Sequence, residues 1–111
     1  MPNPLTVWNP VVTRGLTFLR NIALTQPDGT PVTQFAGSEW VLYFYQPSGD
    51  LIYQTVSGDW ADINAYTKQV TLDPSVTDLF PPNNFTYDLD VIGSQTWRLI
   101  SNGRGVAQEN A

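Results

Sequence analysis

The chain has 111 residues, enough for one domain and too few for two that are independently stable. It contains no cysteine and no histidine, which removes disulfides, thiolate metal sites, thiol nucleophiles and imidazole bases, so most familiar catalytic constellations cannot be assembled. Ten acidic residues against five basic ones give a formal charge of -5, with no long-range attraction for nucleic acid or an anionic membrane, and the charged fraction of 14% is well below the usual ~25%.

No run approaches the ~20 apolar residues of a membrane-spanning helix, and Met1-Pro2-Asn3-Pro4 lacks the basic region of a secretory signal. The expectation is a protein made in a cytoplasm. Residues 1–11 read as an extended arm. Pro2, Pro4 and Pro10 block regular pairing, while Leu5, Val7 and Trp8 are side chains that water does not favour exposing, so the arm is expected to dock, either on a partner or back on its own domain. Residues 12–111 read as a single β domain.

Nine prolines and eight glycines divide that domain into segments too short for ordinary helices. Leu16-Thr17-Phe18 and Ile22-Ala23-Leu24-Thr25 alternate as strands, with Arg20 between them as a bulge or an edge. Gln26-Pro27-Asp28-Gly29-Thr30-Pro31 is a turn. Trp40-Val41-Leu42-Tyr43-Phe44-Tyr45 puts Trp40, Leu42 and Phe44 on one face and Val41, Tyr43 and Tyr45 on the other, both apolar or amphipathic, as in a central strand. Pro47-Ser48-Gly49-Asp50 then turns it into Leu51–Val56, forming a hairpin.

Lys68–Leu72 is a short strand offering Val70 and Leu72 to the core. Asp73-Pro74, an N-cap candidate followed by proline, starts a short helix or 3₁₀ turn that Pro81-Pro82 stops. Phe85-Thr86-Tyr87-Asp88-Leu89-Asp90-Val91 has the strictest alternation, with four apolar side chains inward and three polar ones outward. Gly93-Ser94-Gln95 leads into Thr96–Ile100, and Asn102, Gly103 and Gly105 permit a kink beyond it. Six to eight strands without a crossover helix predict an all-β, antiparallel sandwich of about seven strands.

Candidate chemistry is sparse. Asp88 and Asp90 stand roughly 7 Å apart on one outward face. They could in principle share calcium or act as acid and base, but there is no ligand-rich loop beside them and no cleft to raise a pKa, so a solvated strand face is expected. Asp59, Asp62 and Asp73 fall in turns, where Asp bonds its own backbone, and no metal or other cofactor is expected. Gly103-Arg104-Gly105 opens no helix and so cradles no phosphate.

The aromatics are the other conspicuous group. Trp8, Tyr43, Tyr45, Tyr53, Trp60 and Tyr66 are expected at the surface, as a protein interface or a platform for sugar, while Trp40 and Trp97 fall on core phases. Leu5, Val7, Trp8, Tyr43, Tyr45, Tyr53 and Trp60 are the candidate interface.

From Thr13 onward the order of features resembles a family of small β-sandwich proteins of tailed bacteriophages. Four places carry the resemblance: Thr13-Arg14-Gly15 before an alternating strand; Pro27-Asp28-Gly29-Thr30-Pro31-Val32; Val70-Thr71-Leu72-Asp73-Pro74; and Tyr87-Asp88-Leu89-Asp90-Val91 before a last strand carrying Gly103. It spans about 95 of the 111 residues. The turn between the last two strands is shorter here than in that family, and residues 1–11 have no counterpart in it. The resemblance implies an immunoglobulin-like component of the virion, in the tail, fibre or baseplate region or decorating the head. Its partners would be other virion proteins in a homo- or hetero-oligomeric assembly. A host-surface glycan is the alternative partner, and no enzymatic activity is expected.

Overall fold

The structure is a computed structural model that describes residues 9–26 and 28–109. The strands in chain order are β1 (Val11–Thr13), β2 (Phe18–Ala23), β3 (Glu39–Tyr45), β4 (Leu51–Gln54), β5 (Trp60–Asn64), β6 (Thr67–Leu72), β7 (Asn83–Ile92) and β8 (Thr96–Gln108). A single helical turn, α1 (Pro74–Thr77), joins β6 to β7. Asp73 is its N-cap by position, but its side chain makes no capping hydrogen bond.

The strands form two sheets, ordered β1-β8-β7-β3-β4 and β2-β6-β5. A three-stranded sheet built from the second, sixth and fifth strands faces a five-stranded sheet centred on the last hairpin, and this is the strand order of an immunoglobulin-like sandwich. The core between them holds Phe18, Ile22, Val70 and Leu72 from one sheet and Trp40, Leu42, Phe44, Tyr87, Leu89 and Val91 from the other. One end is filled by Phe44, Phe80 and Phe85, whose rings meet edge to face with centroids 5.1–5.8 Å apart.

Most of the expected strands are present. β2 runs through Arg20 in unbroken register with β6, from Phe18 opposite Leu72 to Ala23 opposite Thr67. Arg20 therefore marks an edge strand and not a bulge, and its guanidinium lies 5.2 Å from the Phe18 ring centroid. The chain reverses between Thr25 and Pro31, where the Thr30 N–H donates to Asp28 Oδ1 and Gly29 adopts φ +89. β3 is interior, between β7 and β4, as its two-sided apolar pattern requires.

Four features depart from expectation. The pairing is not wholly antiparallel, because β1 runs parallel to β8. The sheet also takes in the last residues assigned to the arm: Val11 opens β1, and the buried Pro10 accepts a hydrogen bond from the Val106 N–H. Trp97 is 50% exposed instead of buried. Its phase is inward, opposite Val91, but it lies at the end of the sandwich, and the Phe35 ring, 6.5 Å away and tilted, covers only part of it. Finally, Asp88 and Asp90 are buried, at 7% and 6% exposure.

Candidate interaction surfaces

The outer face of the five-stranded sheet follows from the register. Val41, Tyr43 and Tyr45 on β3 stand opposite Asp90, Asp88 and Thr86 on β7, and these continue on β8 as Arg98 opposite Asp90 and Arg104 opposite Thr86. Between those two pairs β8 carries extra residues, and Asn102 there adopts φ +56, a left-handed conformation that Asn tolerates.

That bulge leaves the Asn102 N–H without a ladder partner, and Asp88 Oδ1 accepts it at 2.9 Å. Arg98 spans the two carboxylates: its Nε and Nη2 donate to Asp90 at 2.7 and 3.2 Å, and its Nη1 lies 3.3 Å from Asp88 Oδ2. The Asp90 hydrogen bonds push the guanidinium further above its usual range. Arg98 also lies 5.9 Å from the Tyr43 ring centroid. Burial, reinforced by the Asp90 charge, raises the Tyr43 phenol.

The expected solvated face is thus a clamp in which both carboxylates are taken up by donors of the chain itself. Alternation places Asp88 and Asp90 outward correctly. It carries no information on their burial, which depends on Arg98 in hairpin register across the turn and on the β8 bulge.

The tyrosines of the β3–β4 hairpin do not share one surface. Tyr43 and Tyr45 are partly covered on the outer face, whereas Tyr53 stands opposite the buried Phe44 and packs against the core. Its hydroxyl donates to Asp59 Oδ2 at 2.7 Å, and burial together with this bond pushes its pKa up to about 12. Trp60 lies between the sheets, edge-on to Trp40 at 5.8 Å, with its Nε1–H donating to the buried Thr55 Oγ1. Tyr66, in the β5–β6 turn, is half-buried. Leu5, Val7 and Trp8 lie outside the described residues.

Of the three aspartates expected in turns, Asp62 lies in β5 instead, opposite Lys68, and two are accounted for locally. Asp59 also accepts from the Val56 N–H, and Asp62 pairs with Lys68 at 3.3 Å. Among the described residues no group of three or more carboxylates converges as a metal site would require.

Sequence reading missed a groove of about 560 Å3 at the β1–β8 edge, lined by Pro10, Val11, Pro47, Arg104 and Val106 among others. Val11 and Val106 are register partners on the outer face, each 44% exposed. The only available signal was the apolar residue at each position, because pairing of the first strand with the last is set by topology.

No family model and no curated protein matches the sequence. Among solved structures the chain is similar to the first immunoglobulin domain of mouse SynCAM 2, at 9% identity over 91% of this chain and 89% of that one, with a TM-score of 0.38.

Proposed function

We propose that this chain is a non-enzymatic structural or adaptor subunit of a bacteriophage particle, acting through protein–protein assembly as a tail, tail-fibre or baseplate component. It would be made in the host cytoplasm and reside in the virion. The observation that carries the assembly half of the reading is the paired exposure of Val11 and Val106 in the edge groove, at the N-terminal end of β1. Two valines side by side at a rim with one cation, Arg104, and no acid lining the groove suit a protein contact better than a reaction site. The phage half rests on the ordered resemblance that begins at Thr13.

Mass spectrometry of purified particles tests the proposal. Stoichiometric presence of the chain is the expected result, and its absence from intact particles would overturn the reading. A few copies per particle would mark a tail component, whereas hundreds would mark the alternative, decoration of the head.

A further inference from the structure

Of the four sheet edges, β2 is the longest regular one. It pairs with β6 over all six residues without a slip, whereas β1 has three residues, β4 has four, and β5 is interrupted between Asp62 and Asn64. Just beyond β2 the Leu24 N–H donates to the Tyr66 carbonyl. Backbone groups alternate sides along an antiparallel ladder, so Phe18, Arg20 and Ile22 also turn towards β6, and Leu19, Asn21 and Ala23 point their N–H and C=O groups away from it. Among the described residues the Leu19 carbonyl alone finds a partner there, the Arg20 guanidinium at 2.8 Å. A regular edge with free donors and acceptors is a template for a further strand.

The sequence of residues 1–8 matches that template on one side only. In an extended chain the backbone groups of alternate residues point to opposite edges. Asn3, Leu5 and Val7 all carry an N–H, so their edge is complete, whereas the other edge has lost two donors to Pro2 and Pro4. A segment of this kind joins a sheet by its complete edge and then ends it. Opposed residues of a pair share a face, so Leu5 and Val7 would fall on the outer face with Leu19, an apolar side chain that is 46% exposed.

The chain's own segment can reach the site. β1 and β2 each end a sheet and are joined by residues 14–17 alone, so they lie on the same side of the sandwich. Packed sheets are about 10 Å apart, a distance that Trp8, Asn9 and Pro10 span at about 3.3 Å each. The chain reverses between β1 and β2, so a segment that leads into β1 runs antiparallel to β2. So short a tether gives it an effective concentration in the ~mM range, above that of a strand arriving from solution. We propose that residues 3–7 add to β2 of the same molecule as the fourth strand of the smaller sheet, with Pro2 and Pro4 on its outer edge. The segment then seals the longest open edge of the sandwich against pairing with other molecules. This role does not depend on assembly through Val11 and Val106.

Hydrogen exchange of the full-length protein, followed residue by residue in 1H–15N spectra, tests the proposal. The Leu19, Asn21 and Ala23 amides should be protected. Val7→Pro removes a donor from the complete edge and should speed their exchange by about tenfold or more. Thr6→Pro alters the edge that already bears prolines and should leave them protected. The Ile22 amide, which faces β6, reports in each variant that the sandwich is folded. Fast exchange at all three positions in the folded wild-type protein would overturn the proposal, as would equal loss of protection in Thr6→Pro and Val7→Pro. Protection that rises with protein concentration alongside a dimer in sedimentation would place the strand on a second copy, and so would also overturn it.

Discussion

Replacing Arg98 by methionine keeps much of the side-chain volume and leaves two buried carboxylates facing each other's charge without a cation. Breaking a buried pair by removing one partner costs about 3–5 kcal/mol. Arg98 is itself about half exposed, so water offsets part of that, and a loss of about 2 kcal/mol is expected in urea unfolding. A smaller loss for Arg98→Met than for the exposed Arg20→Met would show that the clamp contributes nothing. Tyr53 makes a second prediction. Its phenol is raised in the folded state, so its stabilisation is complete below the unfolded value near 10 and fades as the pH climbs through 10 towards about 12. Tyr53→Phe loses the Asp59 hydrogen bond, worth about 1 kcal/mol at neutral pH. The gap in melting temperature between wild type and Tyr53→Phe should then narrow across that alkaline window, and a gap independent of pH would refute the assignment. The sequence showed that Asp88 and Asp90 share a face. Their partner was hidden, because finding Arg98 requires counting register back from Gly93-Ser94-Gln95.

Strands were the most legible elements, since a buried face imposes a period of two that β7 obeys from Phe85 to Val91. β5 escaped this reading because its residues beyond Trp60 are exposed and leave no apolar period. The glycines of β8 were read as permission for a kink, and the structure gives them another reason. A Cβ at Gly103 would stand 2.3 Å from the Tyr87 ring, and one at Gly105 would stand 2.3 Å from the Phe85 ring and 2.8 Å from the Pro10 carbonyl oxygen. Both rings are fully buried and lie across the bare backbone of the neighbouring strand. The kink itself falls at Asn102, where the register slips. Gly105→Ala must displace either a packed ring or a backbone oxygen, so it should destabilise by about 3 kcal/mol or more. Gly58→Ala, where nothing lies within 4 Å of the added carbon, is the control and should change little in thermal unfolding. Equal melting temperatures for the two variants would contradict the ring-over-glycine packing.

At the scale of the whole molecule, the proposed assembly requires a low-charge sandwich with open sheet edges to select one contact. The strands β4 and β1 end the larger sheet, and β2 and β5 end the smaller. Such edges pair indiscriminately when long and flat. β1 is only three residues long and is preceded by Pro10, which cannot donate to a further strand, so its edge suits side-chain packing into the groove better than strand addition. Val106 is the clearest position at which to test this, because it faces solvent and the fold does not need its side chain buried. Val106→Arg places a second cation beside Arg104 in the groove. The expected outcome is a monomer that melts as wild type does but enters particles at least tenfold less well in a competition between tagged wild-type and variant protein. Equal incorporation by a folded variant would move the contact away from this edge, to the outer face of Tyr43 and Tyr45 or to the segment that bears Leu5, Val7 and Trp8. Deleting residues 1–8 in the same competition separates those two. Loss of incorporation on deletion with none for Val106→Arg assigns assembly to the N-terminal segment, and loss in both assigns it to the groove and the segment acting together.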